Sequence, residues 1–176
     1  NSSDDNVWFD TTRGVQKELV SNSTAAEATK SEAISSFDAD GYTTGANGAL
    51  NANGSTYVAW CWKANGGTTS SNTDGSVTST VQANTKAGFS IVTATAPASG
   101  VFTVGHGLNA EIDLYIIKSL STGGWVTYVR DLGADKYLRL DTADAAGTST
   151  NFWDNTNPTS SVFTMKAGSV IVSTSN

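Results

Sequence analysis

The chain has 176 residues, enough for a sizeable buried core in one large domain or two small ones. Its net charge of −6 and pI of about 4.5, with no basic stripe, argue against nucleic acid and anionic membranes as partners. No apolar run approaches the roughly 20 residues that span a bilayer, and a single cysteine, Cys61, allows neither an internal disulfide nor a thiolate zinc site.

The hydrophobic share, 38%, is low, but five Trp, five Tyr and six Phe sit within short Val, Ile and Leu runs, which disordered chains lack. No signal peptide is visible and the first residue is Asn1, as expected of a processed product or a piece of a longer chain. Residues 1–6 read as a polar, frayed start, and Val7-Trp8-Phe9 as a short strand. Arg13 to Val20 suits a strand or one helical turn. Ala25 to Ile34 is the one helix candidate by propensity, with Thr24 to cap it and Glu27 three residues on. Gly41-Tyr42-Thr43-Thr44 and Ala49-Leu50-Asn51 follow. Asn53-Gly54 signals a hairpin turn, because a type I′ turn needs positive φ at both central residues. Thr56 to Lys63 has apolar side chains on both faces, so it is expected as a central strand covered on both sides, with Cys61 in the core.

Residues 64–76 have a linker composition. Ser76 to Val81 adds an alternating strand, and 88–95 with 100–104 read as a strand pair. Leu114 to Lys118 is a buried-strand run. Gly123-Gly124 breaks the chain before Trp125 to Val129, and Tyr137 to Leu140, Val162 to Met165 and Ser169 to Val172 complete the strands. Short strands with turn residues between them predict an all-β protein, a β-sandwich or jelly-roll-like fold, with at most one short helix.

The two halves match weakly in order. Lys17-Glu18-Leu19 answers Lys136-Tyr137-Leu138, and Asn22 to Ala25 answers Asp141 to Asp144, both 119 residues apart. Trp8 is aligned with Trp125, Gly41-Tyr42-Thr43 with Val162-Phe163-Thr164, and Ala49-Leu50 with Val170-Ile171. The expected organisation is a β-rich half-repeat over 1–63, a Gly/Ser/Thr/Asn linker over 64–76, and a second repeat over 77–176 lacking its final strand. An unpaired apolar C-terminal strand invites pairing with a distant segment or another copy, so a homo-oligomer is expected.

Several stretches carry a family resemblance: Tyr57-Val58-Ala59-Trp60-Cys61-Trp62-Lys63-Ala64, Asn72 to Val81, Ala87 to Val92, Val104-Gly105-His106-Gly107-Leu108, Ile116-Ile117-Lys118, Trp125 to Tyr128, Lys136-Tyr137-Leu138 and Phe152 to Phe163. Together they make the chain similar to a β-rich repeat domain of tail and fibre-type structural proteins of marine and freshwater tailed phages. It departs at Asn109-Ala110-Glu111, where that family commonly has a proline. The resemblance implies a virion component (tail fibre, tail tip or surface decoration) that works by assembly and adhesion, with other virion proteins as partners. It brings no catalytic residues, metal or cofactor, so no enzymatic activity is expected.

The residues leave narrower options for chemistry. His106 between two glycines reads as a turn residue. Ser99 and Asp113 are near it in sequence, but there is no nucleophile elbow. Asp38-Ala39-Asp40-Gly41 begins like a calcium loop and lacks the later ligands, so a turn is expected. Trp8, Trp125, Tyr128 and Trp153 are candidates for an aromatic platform that stacks on a host surface glycan, against the commoner role of such residues in cores and interfaces. A glycan-binding receptor module is therefore the alternative function, and a polysaccharide depolymerase the third.

Overall fold

The computed structural model describes residues 5–168, and the fold is all-β, built from small antiparallel sheets. β1 (Val7–Asp10), β2 (Gly14–Val20) and β3 (Ala28–Thr29) form a meander, followed by the hairpin of β4 (Ile34–Phe37) and β5 (Tyr42–Thr44). A four-residue helix, α1 (Gly48–Asn51), is capped by the Asn47 side chain, which accepts from Ala49 N. After an extended stretch, β6 (Ser70–Asn72), β7 (Ser79–Asn84) and β8 (Phe89–Ala94) form a second three-stranded sheet. β9 (Val101–Gly105) pairs with the last described strand, β14 (Val162–Lys166). Between them in sequence, β10 (Leu114–Lys118), β11 (Trp125–Val129), β12 (Lys136–Arg139) and β13 (Gly147–Thr148) make a four-stranded sheet.

The main core joins β9 and β14 to β10 and β11. Phe102, Val104, Phe163 and Met165 pack with Tyr115, Val126 and Tyr128, and Phe152 and Trp153 belong to the same cluster. The Tyr115 ring stacks on Tyr128 at 4.8 Å and on Phe163 at 4.9 Å, and meets Trp153 edge-on at 4.9 Å. Such pairs contribute about 0.5–1.5 kcal/mol each beyond area burial. The polar ends are satisfied for two of these rings. Trp153 Nε1 donates to Lys136 O at 3.0 Å, and Tyr128 OH donates to Asn157 Oδ1 at 3.1 Å. The buried Tyr115 hydroxyl has no partner among the described residues. Burial, with Tyr128 beside it, holds that hydroxyl well above the ordinary phenol range.

Two side chains tie the N-terminal elements to this core. Trp125 donates its indole N–H to Val20 O at 2.8 Å and Ser23 O at 3.2 Å, and its ring lies 5.2 Å from that of Trp8. The buried Gln82 of β7 accepts from Asn65 N and Gly67 N through Oε1, and donates from Nε2 to Thr11 and Thr12 Oγ1.

The two meanders share one register. Trp8 faces Leu19 and Val7 faces Val20, as Thr127 faces Leu138 and Val126 faces Arg139. Lys17 faces Thr29 and Glu18 faces Ala28, as Lys136 faces Thr148 and Tyr137 faces Gly147. Each residue corresponds to the one 119 positions later, so Trp8 answers Thr127 and not Trp125 as the sequence alignment had it. Side chains follow suit: Lys17 Nζ donates to Thr29 Oγ1 and Lys136 Nζ to Thr148 Oγ1. Gly14 and Gly133 both open the second strand's approach with positive φ, 115° and 87°. The turns leading into β5 and β14 also agree, now 121 positions apart, with Asp38 N donating to Gly41 O and Thr159 N to Val162 O.

Other elements depart from the sequence expectations. Ala25 to Ile34 forms no helix. Short helices are marginal without a packed face, and here Ala28–Thr29 pairs with β2, Glu27 is held by Arg13 at 3.0 Å, and Ala33 and Ile34 are buried. β8 pairs with β7 and β9 with β14, so 88–95 and 100–104 are not partners. Residues 64–76 do not run free, since β6 pairs with β7, Ala64 is buried, and Asn65 and Gly67 are bound by Gln82. Gly54 has the positive φ of a turn, 79°, but no hairpin follows. The strand expected at Ser169 to Val172 lies outside the described residues.

Removing the unpartnered hydroxyl by Tyr115→Phe keeps the ring stack and deletes a buried polar group. Urea denaturation should show the variant to be as stable as the parent or up to about 1 kcal/mol more stable. A loss above about 1 kcal/mol would reveal a hydrogen bond to that hydroxyl.

Candidate functional site

Between α1 and Ala64 the chain runs extended outside any sheet. The expected central strand, Thr56 to Lys63, is instead an exposed strap. Val58 is 80% exposed, Trp60 76% and Trp62 62%, and Cys61 is free and exposed rather than in the core. The physical reason lies in the pattern itself: apolar side chains on both faces need cover on both faces, and among the described residues no strand lies on either side. The strap is tethered at its ends. The Tyr57 hydroxyl accepts from Ala52 N at 3.0 Å and donates to Gly48 O at 3.4 Å. The Trp62 ring stacks on Phe89 at 6.3 Å, and Asn84 Nδ2 donates to Lys63 O at 3.1 Å. Between these anchors, Val58 to Trp62 make no backbone hydrogen bonds among the described residues. An exposed, contiguous apolar segment with free backbone groups is the chemistry of strand addition and of protein interfaces.

The four aromatic residues singled out as a stacking platform do not lie together on the surface. Tyr128 and Trp153 are fully buried and Trp125 nearly so. Trp8 alone keeps an accessible ring, 38% exposed. A platform needs open ring faces, and these rings are used in the core and in the joint between halves. Tyr57, Trp60 and Trp62 are the aromatics that the sequence reading missed as surface residues. The signal was present in Asn53-Gly54-Ser55 and Asn65-Gly66-Gly67 flanking the run, which isolate it from neighbouring strands.

His106 follows the β9 end and is almost wholly buried. Its ring nitrogens are engaged by backbone: Nδ1 accepts from Leu108 N at 3.3 Å, which leaves Nε2 to donate to Thr159 O at 3.3 Å. Burial lowers its pKa from the ordinary histidine range, opposed by the Thr159 contact and by Asp74. Asp113 is bound by Arg130 at 2.7 Å. Asp38 serves the β4–β5 turn, accepting from Ser36 and Thr43 hydroxyls. Among the described residues, no three His, Cys, Asp or Glu side chains converge as a metal site would require. Two open surface depressions, one around Val15 and Phe37 and one around Asn65 and Asn84, bring no catalytic grouping together.

Two outcomes follow. Trp60→Ser should leave the denaturation free energy within about 0.5 kcal/mol of the parent, whereas Trp153→Ala should lower it by about 3–5 kcal/mol; equal losses would place Trp60 in the core. For His106 the depressed native pKa gives stability that is full above the unfolded value near 6.5 and is lost as pH falls below it towards the native pKa. In urea titrations between pH 7 and 5, His106→Gln should lose less stability than the parent. Equal losses would show that His106 titrates alike in both states.

No curated protein and no solved structure matches the chain. A family model does match, described as a domain of unknown function, DUF7483, and it extends over residues 1–176. The chain therefore belongs to the DUF7483 family.

Proposed function

We propose that this protein is a structural module of a tailed-phage virion, in a tail fibre, tail tip or surface decoration, and that it acts by assembly and adhesion rather than by catalysis. The observation that carries the reading is the strap. Val58, Trp60 and Trp62 present apolar side chains to solvent on a segment whose backbone groups are free, which suits docking onto neighbouring virion proteins or onto another copy. The resemblance of Tyr57 to Ala64 and of Phe152 to Phe163 to phage tail and fibre repeats supplies the virion setting. Acidic net charge agrees with partners other than nucleic acid.

A glycan-binding reading has one specific support, the open ring of Trp60 with the exposed edge of Trp62 beside it, although the platform it first suggested is mostly buried. Glycan-array binding that is abolished by Trp60→Ala would favour it over assembly.

The main reading is tested by immunogold labelling of purified phage particles from a host that produces this chain. Gold is expected on intact particles at a fixed structural position. Labelling confined to the soluble lysate, with particles bare, would contradict a virion role.

A further inference from the structure

The second meander and β14 are sealed by two strands that the first half lacks. β11 carries β10 on its outer edge, with Tyr128 facing Tyr115 and Thr127 facing Ile116. β14 carries β9, with Phe163 facing Val104 and Met165 facing Phe102. The first half repeats the strands that receive this cover. β1 holds the register place of β11. β5 holds that of β14, because Gly45 N donates to Ala33 O as Lys166 N donates to Phe152 O, and the turns leading into the two strands agree. Yet among the described residues β1 pairs only with β2, and β5 only with β4.

Burial differs accordingly at corresponding positions. Tyr42 is 39% exposed where Phe163 is 6%, and Thr43 is exposed where Thr164 is buried. Trp8 is 38% exposed where Thr127 is 7%. Matching meander register with unequal burial is the signature of an unfilled edge.

We infer that the outer edges of β1 and β5 form an interaction surface for a further segment of the 64–118 type, one that adds a β10-like strand beside β1 and a β9-like strand beside β5. A second copy of this chain does not supply it. Among the described residues each copy carries two meanders, a β5 and a β14, and one β9 and β10 pair, and its own β11 and β14 already use that pair. Exchange between copies would move the shortage without removing it. The inference rests on register and burial and is independent of the virion reading.

The test fuses a second copy of residues 64–124 directly ahead of Asn6, which reproduces the spacing by which β10 leads into β11. Amide hydrogen exchange is compared with that of the unfused chain. Exchange at Val7 to Phe9 and Tyr42 to Thr44 should slow by at least about tenfold, with β11 to β14 unchanged as an internal control. Unchanged exchange at those residues, whether or not the added block folds, overturns the inference. So does protection already present in the unfused chain, in either of two forms. If it is lost on dilution, a second copy is the cover. If it is lost on deleting residues 169–176, the chain's own C-terminal segment is the cover.

Discussion

Everything in the better-packed half depends on the Tyr115 ring being enclosed. It stacks between Tyr128 and Phe163 and abuts Trp153, so it joins three separate elements at one point. Enclosure requires both β9 beside β14 and β10 beside β11. Without disulfides or, among the described residues, any metal-binding cluster, burial of these rings is the main source of cohesion. The buried side chains that join the halves, Trp125 and Gln82, lie on strands of this half and use their polar atoms to satisfy backbone and hydroxyl groups of the first.

The first half shows what the same backbone does when that enclosure is missing. Its meander keeps the register, the cross-strand lysine–threonine pair and the glycine after the first turn. It does not keep the aromatic core. Ala33 and Ile34 stand where Phe152 and Trp153 stand, and Thr44 where Met165 stands, so less apolar volume is offered for burial. Charge replaces some of it: Arg13, itself buried, is held by Asp10 at 2.5 Å and Glu27 at 3.0 Å. Hydrogen bonding and turn chemistry thus set the local pairing in both halves, and the supply of covering strands sets how deeply each half is buried.

The sequence disclosed the strands well where an apolar run of strand length was bounded by turn residues, as at Leu114 to Lys118, Trp125 to Val129 and Val162 to Met165, although β10 is an edge strand with Leu114 exposed rather than the buried strand expected. Lys17-Glu18-Leu19 and Lys136-Tyr137-Leu138, matched in the sequence, lie on strands that share one pairing register. The sequence failed where tertiary supply decides the outcome. Tyr57 to Trp62 carries the pattern of a doubly covered strand, but a pattern states a demand for cover and cannot say whether cover arrives. Ala25 to Ile34 has helical propensity, which pairing of Ala28 and Thr29 with β2 and burial of Ile34 override. The aromatic platform failed for a related reason. Trp and Tyr suit cores and surfaces equally, and only Trp8 of the four proved accessible.

The central claim is that one half of the molecule is sealed and the other is open at equivalent positions. Residue-resolved amide hydrogen exchange on the unaltered chain tests it directly, by comparing Phe9 with Tyr128 and Tyr42 with Phe163 at a single dilute concentration. The second member of each pair should exchange more slowly by about a hundredfold or more. Equal protection within both pairs would contradict the account.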